Sequence, residues 1–325
     1  MRIVTTLPSA TETVAALGLE PVGVSHECDY PPSAASAPAV TRSKIDASGS
    51  SGEIDHQVLE TSDTEDGVYD VDVEILEELD PDVIVTQGMC DVCAVDVAII
   101  EDAADRIEAD PEIVPTDPHS VGDVLDDLER IGHAVGREER AREVRRDLES
   151  RLEAVRDRTG DRSAEDRPRV AIFDWTDPVM IAGHWTAELV DWAGGEYGLA
   201  DAGERSRPRE WDDIRAYDPE VVIVAPCGFD LEQTARNRTD LTERDGWDEL
   251  TAVQEDRVWA MDGDHYLNRP GPRLVDTLEA LAPIVRPERF DGPDPEVAVP
   301  FDDLEGIAST ETSDSDARTE VDSRP

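Results

Sequence analysis

Apolar positions recur at steps of three and four through Val121, Val124, Leu125, Leu128, Ile131 and Val135. They do so again through Ala141, Val144, Leu148, Leu152 and Val155. Each set falls on one face of a helix, with charged residues on the others. Ser120 with Asp123 reads as an N-terminal cap, and Gly132 and Gly136 weaken the middle, so the pattern predicts two helices. The second, over 137–158, would run about 33 Å at 1.5 Å per residue. Before this stretch stands Leu79-Asp80-Pro81-Asp82-Val83-Ile84-Val85, and after it Tyr217-Asp218-Pro219-Glu220-Val221-Val222-Ile223. Both read as a helix tail, a proline stop and a β-branched strand buried on both faces. The same grammar on either side predicts two Rossmann-like α/β lobes bridged by a long helix.

Taken in order, 2–7 reads as a strand, 8–17 as a helix stopped at Gly18, and 21–25 as a second strand. Residues 43–67, rich in Ser, Gly and Asp, read as a long loop with at most one helical turn. Helix 71–79, strand 82–86, helix 94–107 and strand 112–114 complete an N-terminal lobe over 1–118. The helical region covers 119–160. A C-terminal lobe follows over 168–290, with strands at 169–173, 221–224 and 257–261 and helices at 185–193, 211–217, 230–237 and 273–285. Residues 291–325 are mostly Asp, Glu, Ser and Thr and read as an acidic disordered tail.

The chain has 325 residues, enough for two cores, and a formal net charge of −48. Lys44 is its only lysine. Acidity spread along the whole chain suits a halophilic protein, in which salt screens the repulsion between carboxylates. It argues against a nucleic-acid partner, which needs a basic stripe. No apolar run is long enough to span a membrane, and no signal-peptide core follows Met1. As written the chain reads as cytoplasmic, or as working at the extracellular face of the membrane if its start lies elsewhere. In the cytosol its four cysteines are expected as thiols or ligands rather than disulfides.

Residues with chemistry gather after the predicted strands: His26 and Cys28, Cys90 and Cys93, Trp175, His184 and Trp185, Cys227 and Phe229, His265 and Tyr266. In open parallel sheets that edge forms the ligand crevice, so a cleft between the lobes is expected. Trp175, Trp185, Phe229 and Tyr266 are candidates to stack on a flat ligand. Cys28, Cys90, Cys93 and Cys227, with His26, are candidates for a soft metal site, leaving zinc and an iron–sulfur cluster open. Each cysteine could equally be a buried small residue. No GxSxG elbow, P-loop or HExxH is present, so no catalytic set is assigned.

Pro8-Ser9-Ala10-Thr11-Glu12, Leu17-Gly18, the helical strut and Trp192-Ala193-Gly194-Gly195 resemble the class III, helical-backbone substrate-binding proteins of ABC importers for vitamin B12, iron-siderophores and haem. Ser25-His26-Glu27-Cys28-Asp29-Tyr30-Pro31, Cys90-Asp91-Val92-Cys93, Pro226-Cys227-Gly228-Phe229-Asp230 and Arg269-Pro270-Gly271-Pro272-Arg273 look like its cobalamin-binding branch. The resemblance covers about 2–286. It implies a noncatalytic protein holding cobalamin or another corrinoid in a cleft between two lobes, with a permease and an ATPase as partners. His26, His184 or His265 would then approach the cobalt. The alternatives are a cytosolic metal or redox protein using the cysteines, and haem or iron-siderophore binding on the same scaffold.

Overall fold

The structure is a computed structural model and describes residues 1–62, 67–89, 94–160 and 166–307. The chain forms two compact units. The first comprises Met1–Gly49, Glu53–Ala154 and Arg269–Val275; the second comprises Ser50–Gly52, Val155–Asn268 and the chain from Asp276 on.

The first unit begins with β1 (Ile3–Thr5) and α1 (Pro8–Ala16), whose Pro8 fits the first helical turn because its missing N–H has no partner there. β2 (Thr41–Ser43) and, beyond α2 (Ser51–Ser62), β3 (Tyr69–Val71) pair antiparallel. α3 (Val73–Leu79) is capped by Asp72, which accepts from the Ile75 N–H, and ends at Asp80 in the left-handed conformation. Pro81 follows, and β4 (Val83–Gln87) runs buried along its whole length. α4 (Val97–Ala104) and β5 (Glu112–Thr116) complete a parallel sheet ordered β1-β4-β5. The expected strand at 21–25 joins only through single bridges, Val4 to Gly23 and Val24 to Ala39. Val4, Leu76, Ile84, Val95 and Ile100 share one core. Burying each such side chain contributes roughly 1.5–3 kcal/mol.

α5 (Val121–Ala134) starts with the predicted capping box between Ser120 and Asp123. It breaks from α6 (Glu138–Thr159) at Gly136, whose φ of +66° favours glycine. Gly132 has a packing reason: a Cβ there would stand 2.5 Å from that of Ala141. α6 carries the chain from the first unit, to which it belongs through Ala154, into the second.

The second unit opens with β6 (Val170–Thr176) and β7 (Val179–Ile181), an antiparallel pair with an irregularity between Phe173 and Trp175. α7 (Thr186–Trp192) and β8 (Arg207–Pro208) precede α8 (Trp211–Tyr217), which ends at Asp218, again left-handed and again followed by proline. Then come β9 (Val221–Val224), α9 (Leu231–Arg236), α10 (Thr239–Thr242), α11 (Thr251–Gln254), β10 (Val258–Met261), α12 (Leu274–Val285) and β11 (Ala298–Pro300). α12 begins among the first unit's residues. The sheet order is β11-β10-β9-β6-β7-β8, parallel at its centre and antiparallel at both flanks. Among the described residues no helix is long and apolar enough to cross a membrane.

Two expectations are corrected. The segment read as a loop with one helical turn contains the 12-residue α2. Its start is fixed by long-range bonds: the Ser51 N–H donates to Asn237 Oδ1 (3.0 Å), and its hydroxyl meets Thr176 Oγ1 (2.8 Å) and Asp240 Oδ2. The segment from 291 is not a disordered tail throughout. β11 pairs with β10, and Val297, Ala298, Phe301 and Leu304 are buried. That short apolar run is outvoted in composition by its acidic neighbours. Residues 308–325 lie outside the described residues.

Candidate functional site

In the first unit, the turn after Val24 carries His26, Cys28, Asp29 and Tyr30. The His26 side chain is 26% exposed and tilts toward the Tyr69 ring at 5.8 Å. Thr41 donates its hydroxyl to Ser25 Oγ (3.1 Å) and lies 2.9 Å from His26 Nδ1. The other ring nitrogen, Nε2, lies 3.9 Å from Glu27 Oε1. Partial burial lowers the His26 pKa, which favours the neutral ring.

Cys28 is buried, with its Sγ 3.0 Å from Thr11 Oγ1. Burial pushes its pKa up to about 11. A thiol held protonated in this way is a poor metal ligand, since the thiolate is the ligating form. Cys90 and Cys93 lie outside the described residues. Cys227, half-buried in the second unit, donates its backbone N–H to the Asp174 carbonyl (2.9 Å). Among the described residues no group of three metal-ligating side chains contains a cysteine.

In the second unit, the segments after β9 and β10 are knit together. The Gly263 and Asp264 N–H groups both donate to the Phe229 carbonyl (3.0 and 3.1 Å), and Asn268 Nδ2 donates to the Ala225 and Gly263 carbonyls (3.1 and 2.8 Å). Only glycine fits at 263, where a Cβ would stand 2.2 Å from the Pro226 carbonyl oxygen. Asp262 caps the π-helical turn Gly263–Leu267: it accepts from the His265 N–H and from His265 Nδ1, each at 2.8 Å. That second bond places the ring proton on Nδ1, with Nε2 3.7 Å from Asp264 Oδ2. An imidazole oriented by a carboxylate in this manner is the arrangement metal-ligating histidines use. The sequence reading named His265 but missed Asp262, although the Asp-x-x-His spacing of an N-cap stood in view.

The aromatic residues separate into two kinds. Trp175, at the end of β6, lies 5.1 Å from Phe229 at 56° and donates its indole N–H to the Asp177 carbonyl (3.1 Å). Trp175 and Tyr266 keep part of their surface in solvent, whereas Phe229 is buried beneath Trp175. Trp185 is also buried, with its indole N–H donating to the Leu267 carbonyl (3.0 Å) and its ring stacked on His184 at 5.4 Å. It braces the 263–267 turn rather than lining a rim. His184 has a φ of +53° and follows β7, which runs antiparallel to β6. β7 is not among the strands that the sequence pattern predicts, and His184 does not follow β6 directly. Asp174, between Phe173 and Trp175, is buried, and its Oδ1 has no hydrogen-bond partner among the described residues. Loss of hydration pushes its pKa up to about 6.

A separate cavity of about 460 Å³ in the second unit is lined by Arg167, Arg169, Arg257 and Arg286 with Glu196 and Glu220. None of the candidate residues lines it. Its arginines donate to carbonyls at Gly194, Gly195, Ile284 and Val285, near the C-terminal ends of α7 and α12, where cations offset the helix dipole.

Comparison with known proteins agrees with this architecture. The family described as Periplasmic binding protein matches residues 3–265. An ABC transporter substrate-binding lipoprotein of Bacillus subtilis, YvrC, is 25% identical over 295 residues, covering 89% of this chain and 81% of that protein. The Vitamin B12-binding protein of Vibrio cholerae is 24% identical over 286 residues, covering 86% of this chain and 87% of the relative. The structure of S. aureus IsdE complexed with heme shares the fold, with a TM-score of 0.64 and 16% identity, over 87% of this chain and 98% of that one. With the match running from the first strand to the His265 turn, the chain belongs to the periplasmic binding protein family, in the class III, helical-backbone type of ABC transporter substrate-binding proteins.

Proposed function

We propose that the chain is the corrinoid-binding component of an ABC importer, noncatalytic, and loaded with cobalamin or a precursor before docking on a permease–ATPase pair. The observation that carries this reading is the set in the second unit. There a partly exposed Trp175 stands over Phe229, and the same Phe229 carbonyl holds the turn that presents His265 and Tyr266. An aromatic face beside a carboxylate-oriented imidazole suits a flat macrocycle carrying a metal. The likeness to a vitamin B12-binding protein favours a corrinoid as that macrocycle. In the first unit, His26 supplies a second imidazole, whose neutral form partial burial favours.

Haem is the second reading, supported by the shared fold of a heme-complexed structure. The cysteine-metal alternative is disfavoured by Cys28, whose thiol is kept protonated. The test is calorimetric titration, in high salt, with cyanocobalamin, cobinamide and haemin. Saturable one-to-one binding of a corrinoid, weakened by Trp175→Ala, is expected. Haemin binding alone would transfer the assignment to haem, and folded protein that takes none of the three would end both readings.

A further inference from the structure

The Arg269-Pro270-Gly271-Pro272-Arg273 motif packs within the first unit, against the start of α1. Gly271 approaches so closely that a Cβ there would lie 3.2 Å from the Ser9 carbonyl oxygen. Two guanidinium groups converge on Glu12: Arg269 Nη1 at 3.2 Å and Arg273 Nη1 at 3.7 Å. The Glu12 side chain is 1% exposed and that of Arg269 6%, so this pair is fixed in the interior. Glu12 Oε2 has no hydrogen-bond partner among the described residues, so the carboxylate leans on the two arginines for compensation.

From that anchor Arg269 reaches outward. Its Nη1 donates to Asp29 Oδ1 (2.6 Å) and its Nη2 to Asp29 Oδ2 (3.3 Å), a two-pronged contact with a side chain 40% exposed. Next in the chain, the Tyr30 ring lies 4.5 Å beneath the Arg273 guanidinium. Preceding it, Cys28 is tied to Thr11, whose hydroxyl lies 2.6 Å from that of Thr5. Within the turn after Val24, the Cys28 N–H donates to the Ser25 carbonyl (3.1 Å). Side chains from α1 and from 269–273 meet it over Cys28–Tyr30, while Thr41 meets it at His26.

We propose that Arg269 is a positioning residue for the 26–30 turn: held in place by buried Glu12, it grips Asp29 and so fixes the far end of the turn whose near end, His26, is held by Thr41. A planar fork is needed for this, because a lysine ammonium cannot serve both carboxylates in two-pronged geometry. The ligand consequence rests on the corrinoid reading, but the positioning itself does not.

The test uses the full chain in high salt, with Asp29→Asn, Arg269→Lys and, as a conservative partner, Asp29→Glu. Asp29→Asn changes a side chain with open surface, so its thermal midpoint is expected to stay close to that of the parent. Amide hydrogen exchange in peptides covering 26–32 is expected to rise about tenfold in Asp29→Asn and in Arg269→Lys, the loss of one charge-assisted contact. Peptides covering β1 and β4 should not change, and Asp29→Glu should restore part of the protection. Cyanocobalamin binding is expected to weaken about tenfold in Asp29→Asn, again by loss of one such contact. Unchanged exchange at 26–32 in both Asp29→Asn and Arg269→Lys would overturn the proposal. If the parent protein binds no corrinoid, the functional reading fails while the exchange result still decides the positioning role.

Discussion

The two units share a plan and differ in what holds their chemistry in place. In each, a seven-residue helix ends at an aspartate in the left-handed conformation, a proline follows, and a buried parallel strand begins: α3, Asp80 and β4 in one, α8, Asp218 and β9 in the other. The second copy is the more tied down. Asp218 accepts from the Thr251 N–H (2.9 Å) and hydroxyl (2.8 Å), and these bonds hold its pKa below the usual carboxylate value. Beyond that point the units diverge. The second extends its sheet to six strands and fills the core with Phe173, Trp211, Trp247 and Phe301. Its candidate residues ride on turns fastened by backbone hydrogen bonds and buried rings. The first has a three-stranded parallel sheet, and its candidate turn is held by Thr11, Thr41 and Arg269, the last gathered with Arg273 on buried Glu12. The candidate residues are thus held by dry packing in the second unit and by side-chain contacts, buried charge among them, in the first.

This contrast can be broken from the packed side first. Trp247 lies 6.3 Å from Trp211 and 5.9 Å from Phe301, so Trp247→Ala is expected to cost about 3–5 kcal/mol in denaturant unfolding. A loss under 1 kcal/mol would show that the aromatic core is not what stabilises the second unit. On the charged side, Arg269→Met leaves the buried Glu12 carboxylate with Arg273 alone and is expected to cost about 3 kcal/mol. Pairing it with Glu12→Gln should recover much of that loss, whereas strict additivity of the two would remove the basis for a coupled network.

Asp174 gives a smaller, pH-dependent effect inside the dry unit. Its folded pKa of about 6 lies above the ordinary 3.8, so the fold favours the protonated form. The stability it contributes is complete below about pH 4 and drains away as pH rises through about 6. Asp174→Asn should therefore gain on the parent by on the order of 2 kcal/mol between pH 4 and pH 7.5. A difference that stays flat across that range would mean the carboxyl is hydrated. The smallest effect concerns ligand alone. Asp262→Asn loses the carboxylate that orients His265 and is expected to weaken corrinoid binding about tenfold. Wild-type affinity in that variant would detach His265 from the ligand.

Local signals account for what could be read in advance. The capping box at Ser120, the break at Gly136, the Asp-Pro strand starts and the helix over 211–217 all stand where the pattern put them. Each is written in residues within a turn or two of one another. α2 was hidden because its start is secured by Asn237, Thr176 and Asp240, each more than a hundred positions away. β7, β8 and β11 were hidden because strands of two or three residues carry no period of their own.

The candidate site divides in the same way. That imidazoles and indoles follow strands was visible in the sequence. That Phe229 and Trp185 are buried braces while Trp175 and Tyr266 keep open surface was not. The amino-acid sequence alone determined the helices, the repeated strand entries and the family likeness, because an apolar stripe or a capping pair acts over a few residues. Only the tertiary structure decided that Glu12 meets Arg269, 257 positions later, and that Asp262 rather than a cysteine stands behind the imidazole. A charged group's partner is chosen by whatever the fold brings within a few ångströms, and no local pattern records that choice.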